Sequence, residues 1–305
     1  MRTIIATILL TASLVSGAQE LRLKAVRVVK PEVSGPYLLA GVLPGSRYLL
    51  VSGEGYKGLS LLDLRRSRIT KISSGSGAGY EPAVTPDGKK IIFRTDSFPD
   101  NRKYSSLLSY DIETAGTETI LAHERGVHPA AISGNRIMVK SDRVRRTELT
   151  GSAVTKSSGD GVFVIIEDLV PVIYSGGERK VLKPNGDGYY IWASLSPDAT
   201  RLLYNFQGLS TYICDLNGHV IHDAGRINAP KWLNDNIIIG MDDRDDGNRV
   251  TSSEIVYYSL RDRKRRYLTG TDTRAEMYPW PFAEGRKIAF STDNGEIYVA
   301  KLKIR

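Results

Sequence analysis

Two residue types that metal centres and disulfide-stabilised proteins need are scarce in this sequence: its 305 residues include one cysteine and four histidines. With Cys214 as the only cysteine, no intrachain disulfide can form, so stability must come from a packed core. His123 and His128 share one connecting segment, whereas His219 and His222 flank a turn elsewhere in the chain. This separation argues against a metal site built from three histidines.

Long apolar runs are missing too, except near the beginning of the chain. Residues 4–15 form an apolar run that follows Arg2 and precedes Ser16 and Ala18, the small residues that a signal peptidase requires. The run is shorter than the roughly 20 residues that a membrane-spanning helix needs. The sequence therefore predicts a signal peptide at residues 1–18, no membrane span, and a soluble periplasmic or secreted mature protein.

Several common catalytic and binding motifs are also absent. The sequence has no Gly-x-Ser-x-Gly nucleophile elbow, and its Gly-rich stretch, residues 75–79, joins two strands instead of a strand and a helix. The net charge of +8 is modest, and its basic runs lack the interleaved aromatic residues of a nucleic-acid groove. These observations predict no nucleic-acid partner and no phosphate-binding loop.

A repeat, in contrast, is clearly present. In the segment YEPAVTPDGKKIIFRTD (residues 80–96), the turn residues of Pro86-Asp87-Gly88-Lys89 separate two short apolar runs. Proline fixes φ at the first corner of such a turn, and Asp and Gly tolerate the rest of its geometry, so the segment predicts a β-hairpin. A second hairpin follows at once. Four short strands in one repeat are the content of a propeller blade.

Six positions, here called the anchors, occupy the place of Pro86 in successive repeats: Pro44, Pro86, Ser133, Pro197, Asn234 and Ala283. They predict an all-β, six-bladed β-propeller of four-stranded antiparallel blades over residues 19–305. The C-terminal repeat lacks its fourth strand, so we expect the N-terminal strand to join the last blade and close the ring. The third and fourth anchors lie 64 residues apart, and a long loop at residues 141–161 is the expected reason.

The repeat resembles that of TolB-type six-bladed propellers, whose unit centres on a Pro-x-x-Ser-Pro-Asp-Gly-Lys turn. The segment PAVTPDGKK matches this pattern well, and SLSPDAT lacks its glycine. The anchors at Ser133 and Asn234 keep little of the pattern. The resemblance covers the whole mature chain and implies the architecture, whereas such propellers include binding proteins, peptidase gates and some enzymes.

Long loops are expected on one face of the propeller, which then becomes the candidate binding face. Residues 95–104, 141–161 and 242–253 are the predicted insertions, and Arg143, Arg145 and Arg146 are candidates for contact with an acidic partner. Segments just before each first strand should reach the channel mouth on the same face. The candidate ligand-binding residues there are Tyr80, Glu81, His128, Trp192, Asn228, Glu276 and Tyr278. For Trp192, packing between blades is an equally good interpretation.

Two functions are consistent with this pattern. The favoured one is a non-enzymatic binding module that engages a protein partner in the cell envelope, or a glycan, through the long-loop face and needs no cofactor. The alternative is a hydrolase or lactonase-like enzyme with a divalent cation at the channel mouth, where metal-bound water would be the nucleophile. Its metal ligands would be Glu81, His128, Asn228 and Glu276. Because this ligand set is incomplete, the sequence favours a protein that is not an enzyme.

Overall fold

The protein is seen in a computed structural model that describes residues 20–29, 31, 35–133, 136–141, 144–148, 161–271 and 274–304. Residues 144–148 and 304 are described by their backbone alone. The predicted signal peptide and Arg143 lie outside these residues. The described part contains 26 strands and two single-turn 3-10 helices, Glu54–Tyr56 and Pro99–Asn101. Within it, no helix has the length and apolar character needed to cross a membrane.

The strands form seven sheets, here called blades 1 to 7. Strand β1 (Leu21–Val29) belongs to blade 7. The strands of blade 1 are β2 (Leu38–Val42), β3 (Tyr48–Ser52), β4 (Leu59–Asp63) and β5 (Arg68–Ser73). Those of blade 2 are β6 (Ala83–Val84), β7 (Lys90–Ser97), β8 (Tyr104–Asp111) and β9 (Thr117–Glu124). Blade 3 contains β10 (Ala131–Ser133), β11 (Arg136–Lys140) and β12 (Val144–Glu148).

The second half of the chain continues the series. Blade 4 contains β13 (Phe163–Glu167), β14 (Val170–Ser175) and β15 (Glu178–Val181). Blade 5 contains β16 (Tyr190–Leu195), β17 (Arg201–Phe206), β18 (Ser210–Asp215) and β19 (Val220–Asp223). Blade 6 contains β20 (Asn228–Asn234), β21 (Ile237–Asp245), β22 (Val250–Ser259) and β23 (Lys264–Tyr267). Blade 7 contains β24 (Glu276–Phe282), β25 (Lys287–Thr292) and β26 (Ile297–Ile304), together with β1.

The anchor turns have the chemistry that the sequence predicts. In blade 2 the Thr85 hydroxyl donates to Asp87 Oδ1 at 2.6 Å, and the Gly88 amide donates to the Thr85 carbonyl at 2.8 Å with φ +71°. Blade 5 repeats this network with Ser196 and Asp198, whose oxygens are 2.5 Å apart. Ala199 occupies the place of the glycine there, with φ +54°. The two turns are thus built alike, and in blade 5 the strain of a left-handed alanine is tolerated.

The blades pack side by side in a ring, and buried apolar clusters fill the space between neighbours. Leu50 of blade 1 lies in one cluster with Ile91 of blade 2, and Leu49 of blade 1 lies in another with Ala289 of blade 7. Corresponding clusters join the other adjacent pairs. From blade 2 round to blade 7 and on to blade 1, the first strands of neighbouring blades contact one another, so they surround the central channel. One face of the ring is here called the mouth face. It is the face at which strand β6 and the first strands of blades 5, 6 and 7 begin.

The predicted closure of the ring is confirmed. Strand β1 pairs antiparallel with β26 from Leu21–Ile304 to Val29–Ile297. The Leu21 amide also donates to the Tyr257 hydroxyl of blade 6 at 3.1 Å. The N-terminal strand therefore completes blade 7 and covers an edge of β26 that would otherwise expose unpaired backbone groups. The all-β antiparallel propeller is the fold that the repeat predicts.

Six of the seven blades carry the six anchors, one at each turn after the first strand. Blade 4 carries none and lies between the third and fourth anchors, so this sheet, and not only a loop, fills the 64-residue interval. In the described residues blades 3 and 4 have three strands each instead of the expected four. The turn of blade 4, Asp168-Leu169, lacks the proline and glycine of the repeat, and this explains why the pattern did not identify the sheet.

Blade 4 also runs in the opposite sense to the repeat. The Gly161 amide donates to Ser133 Oγ at 3.1 Å on the far face, whereas Glu167 at the end of β13 lies 3.3 Å from Lys140 Nζ on the mouth face. Strand β13 therefore ends where the first strands of the other blades begin. As a consequence, the Asp168-Leu169 turn lies on the mouth face.

Two of the three predicted long loops are shorter than expected. Residues 242–245 pair with residues 250–254, so only a tight turn closes this hairpin. Strand β7 extends to Ser97, where it pairs with Tyr104, and six residues remain in that connection. The third loop includes Arg143, which is outside the described residues, and Arg145 and Arg146, whose backbone pairs with β11. Partner binding by these three arginines stays a prediction.

Candidate active site at the channel mouth

The first strands and the segments before them enclose a cavity of about 640 Å³. Residues from blades 2 to 7 line it, which places the cavity in the central channel. Six of the lining residues have large aromatic or ionisable side chains that the following paragraphs use: Tyr80, Glu81, His128, Trp192, Lys231 and Trp280. Four of these six belong to the candidates predicted from the sequence. The cavity is thus where the ring brings the predicted residues together.

A backbone irregularity positions several of these side chains. Glu81, Trp192 and Tyr278 each lie five residues before an anchor, and each has a left-handed φ, of +47°, +55° and +53°. In blades 5 and 7 the strand register shifts at this place, which marks a β-bulge. A β-bulge changes the direction in which the side chain at that position points. Non-glycine residues rarely adopt this conformation without compensation, and such residues cluster at functional sites.

Lys231 and Trp280 are two lining residues that the sequence analysis did not propose. Both lie three residues before an anchor, and the Lys231 ammonium is 4.3 Å from the centroid of the Trp280 ring. Lys231 is the one lysine or arginine among the described lining residues, and no hydrogen bond or ion pair within the described chain engages its ammonium. Burial lowers the pKa of Lys231, and the nearby Glu81 carboxylate opposes that shift. The cavity therefore holds a lysine that is available to pair with an anionic ligand, and such a ligand would favour its ammonium form.

His128 supplies the imidazole of the cavity. Its amide donates to the Lys140 carbonyl at 2.8 Å, which fixes the backbone beside β11. Burial lowers the pKa of His128, and the positive charges of Lys140 and Arg94 lower it further. The imidazole is consequently neutral at neutral pH and can accept a proton.

Tyrosines surround the entrance on the side of blades 1, 2 and 7. Tyr56, in the 3-10 turn of blade 1, meets Tyr80 edge to face with ring centroids 5.2 Å apart. The Arg94 guanidinium lies 5.1 Å from the centroid of Tyr80. The Glu81 carboxylate raises the pKa of Tyr80, as does burial. Burial also raises the pKa of Tyr278, and Tyr56 and Asp243 add to this effect. Tyr278, another predicted mouth residue, is not among the lining residues and packs against the apolar cluster between blades 6 and 7.

Trp192 packs between blades, as one interpretation predicts, and ligand binding by its indole stays a prediction. It lines the cavity, and it also packs against the apolar cluster of Ala229, Met241, Ala275 and Met277 between blades 6 and 7. Its indole is therefore held by the neighbouring blades while part of it remains available to the channel.

Asn228 and Glu276 are not among the residues that line the cavity. The Asn228 amide donates to Asp243 Oδ1 at 2.6 Å. Glu276 is fully buried between blades 6 and 7, where its carboxylate accepts from Thr271 at 2.7 Å and from Arg274 at 3.0 Å. Burial and the neighbouring Glu254 carboxylate raise the pKa of Glu276. A register shift between Met277 and Trp280 separates Glu276 from Trp280, which is the lining residue of β24, so the two side chains need not share a face.

The predicted metal ligands therefore do not assemble in this chain. Glu81 and His128 line the cavity, but Asn228 and Glu276 do not. Within the described ranges no group of three His, Cys, Asp or Glu side chains is placed to hold a metal ion. A divalent cation at the mouth thus lacks a ligand set among the described residues.

The fold has counterparts among solved structures. No protein-family profile and no curated protein sequence matches the chain. The crystal structure of an oligogalacturonate lyase from Vibrio parahaemolyticus is similar over 93% of this chain and 96% of that one, with a TM-score of 0.60 and 11% identity. A second structure, an oligogalacturonate lyase in complex with manganese, has a TM-score of 0.49 and 13% identity and covers 84% of this chain and 74% of that one.

At such low identity, this similarity shows the fold. It supports a β-propeller and does not single out the TolB type that the repeat resembles. It also overturns two predictions, the non-enzymatic binding module and the absence of enzymatic activity, because the propeller that matches nearly the whole chain is an enzyme. The alternative, a hydrolase or lactonase-like enzyme that depends on a divalent cation at the channel mouth, agrees better with this finding because it is an enzyme.

Proposed function

We propose that this propeller is an enzyme that cleaves an anionic oligosaccharide in the cavity at the channel mouth. The observation that carries the proposal is Lys231, a cation in an aromatic cavity with no described hydrogen-bond or ion-pair partner. Aromatic walls with one or a few convergent polar groups are typical of ligand sites, and a lysine without an ion-pair partner favours a ligand with a carboxylate. The similar fold of an enzyme named for its action on oligogalacturonate supports this class of substrate.

The reaction that the cavity supports best is an elimination on a uronate unit. A proton on the carbon next to a carboxylate becomes easier to remove when a cation neutralises that carboxylate, and Lys231 supplies such a charge. His128, as a neutral imidazole, accepts the proton. The electron pair of the broken C–H bond forms a C=C bond, and the C–O bond to the next sugar breaks. The departing oxygen leaves with the electrons of that bond and takes up a proton.

The test is cleavage of polygalacturonate and of polymannuronate, followed by ultraviolet absorbance of the conjugated product. We expect cleavage of at least one polymer, a loss of about 100-fold or more in kcat/KM for Lys231→Met, and partial activity in Lys231→Arg. Lys303→Met, at an exposed lysine of β26, is the matched control and should be unchanged. An inactive wild-type protein that also fails to bind both polymers would refute the proposal.

The proposed function also bears on where the protein acts and what it binds. Export through the predicted signal peptide agrees with an extracellular or periplasmic polysaccharide as substrate, and a glycan partner replaces the favoured protein partner in this proposal. Detection of the mature chain, beginning near Gln19, in a periplasmic fraction or in culture medium would test export.

A further inference from the structure

The proposed cavity ends at Tyr80, but the aromatic surface continues beyond it. Tyr56 is not among the cavity-lining residues, yet its ring lies 5.2 Å from that of Tyr80 at an angle of 82°. Both side chains are 38% exposed, an unusual fraction for two contacting aromatic rings. The pair therefore extends the wall of the cavity on to the outer rim.

The backbone holds Tyr56 in this place. Tyr56 has a left-handed φ of +59° at the end of a 3-10 turn, and its carbonyl accepts a hydrogen bond from the Gly79 amide at 3.1 Å. Gly79 directly precedes Tyr80, so this hydrogen bond connects the backbone of Tyr56 to the backbone next to Tyr80. A strained conformation fixed by a neighbouring segment is more typical of a functional position than of an ordinary surface loop.

Tyr80 is fixed as well. The Arg94 guanidinium lies 5.1 Å from its ring centroid, and Arg94 is held by a bond of 2.8 Å from its guanidinium to the Val127 carbonyl. The side chain of Tyr80 is therefore oriented before any ligand arrives. Rigid aromatic surfaces lose little conformational entropy on binding, which favours their use as contact surfaces.

We propose that Tyr56 and Tyr80 form a stacking subsite for a sugar unit next to the one held at Lys231, so that the enzyme prefers oligomers to dimers. This inference rests on the proposed function, because the occupant is a further unit of the same anionic oligosaccharide. The continuity of the aromatic surface with the cavity, through Tyr80, argues for this occupant. The rings contact the apolar face of the sugar, and its hydroxyl and carboxylate groups remain in water.

The experiment compares binding of digalacturonate and pentagalacturonate to the full-length mature protein by calorimetry. The wild type should bind the pentamer more tightly than the dimer. Tyr56→Ala should weaken pentamer binding about five- to tenfold and leave dimer binding unchanged, whereas Tyr56→Phe should retain wild-type affinity. Tyr267→Ala, at a 58% exposed tyrosine on blade 6, is the control and should change neither affinity.

The possible results separate this inference from the proposed function. If the wild type binds both ligands and Lys231→Met loses both, but Tyr56→Ala keeps the wild-type preference, the subsite is refuted and the function stands. If the wild type binds neither ligand, both proposals fail. Equal losses for dimer and pentamer in Tyr56→Ala, with a lowered melting temperature, would show a structural role and also refute the subsite.

Discussion

The Lys231 ammonium lies 4.3 Å from the centroid of the Trp280 ring, across the boundary between blades 6 and 7. An aromatic face attracts a cation without neutralising it, so the charge remains available to a ligand. Each residue occupies the same place in its own repeat, three positions before the anchor. Two successive repeats thus supply the two halves of one cation–aromatic pair in the channel.

The first prediction concerns the pH dependence of ligand binding. Burial lowers the pKa of Lys231 and the Glu81 carboxylate opposes this effect, so the ammonium is lost as pH rises through that lowered pKa. Affinity for digalacturonate should therefore fall at alkaline pH. In Glu81→Gln the opposing charge is gone, the pKa of Lys231 falls further, and the alkaline decline should begin at lower pH. Calorimetric titrations across the pH range measure this shift.

The control for this prediction is Glu54→Gln, which removes an exposed carboxylate from the turn that carries Tyr56. Its pH profile should follow that of the wild type. An alkaline decline in Glu81→Gln at the same pH as in the wild type would show that Glu81 does not control the charge of Lys231.

The second prediction concerns the buried carboxylate of Glu276. Burial and Glu254 raise its pKa above the ordinary 4.5, so the folded protein holds a proton that the unfolded chain releases. Stability contributed by this proton is complete below the unfolded pKa and is lost as pH rises through the folded pKa. Glu276→Gln should therefore raise the melting temperature at neutral pH by about 2 °C or more, with the difference vanishing near pH 4.

Glu284→Gln, at an exposed glutamate of the last blade, is the matched control for Glu276→Gln and should melt like the wild type at both pH values. A lower melting temperature of Glu276→Gln at neutral pH would mean that the ionised carboxylate stabilises the fold through Arg274. That outcome would contradict the direction of the pKa shift.

The third prediction concerns the Gly-rich segment before Tyr80. A Cβ at Gly79 would lie 2.0 Å from Ser52 Oγ and 3.2 Å from the Gly58 carbonyl, so the segment approaches blade 1 too closely for any side chain. Gly79→Ala should destabilise the protein by about 1–3 kcal/mol and weaken sugar binding, because Tyr80 and Glu81 must move. Thermal unfolding and calorimetry measure the two effects.

A control variant and a compensating double variant test whether the close approach at Gly79 is the cause. Gly270→Ala, where a Cβ meets nothing within 4 Å, should leave both stability and binding within about 0.5 kcal/mol of the wild type. Ser52→Gly combined with Gly79→Ala removes the nearest clash and should restore part of both. If Gly79→Ala alone behaves like Gly270→Ala, the close approach does not position the site.

The repeat turns explain why the fold was predictable from the sequence. Pro86-Asp87-Gly88 and Pro197-Asp198-Ala199 each form the same local network of hydrogen bonds, and local chemistry of this kind is readable without tertiary context. Blade 4 was missed because its turn at Asp168-Leu169 has none of these residues. A sheet that is specified by packing against its neighbours leaves little signature in a single sequence.

The site was predictable only in part, for a related reason. Glu81, His128 and Trp192 were identified because they come just before the first strands. Whether a side chain faces the channel depends on strand parity and on the bulges, which the sequence does not display. Glu276 was therefore placed at the mouth, whereas it faces the space between blades 6 and 7. Lys231 was missed, although counting back three residues from each anchor would have found it together with Trp280.

The final prediction concerns the closure of the ring. Leu21 and Val29 at the two ends of β1 are buried, and the Leu21 amide donates a hydrogen bond to the Tyr257 hydroxyl. A chain that begins at Pro31 should lose about 3–6 kcal/mol from these two side chains alone and expose the edge of β26. We expect a lower melting temperature and concentration-dependent light scattering. A chain that begins at Glu20 is the control and should behave like the mature protein. Equal stability of the two truncated chains would show that β1 does not hold the ring closed, since they differ only by that strand and its two flanking residues, Glu20 and Lys30.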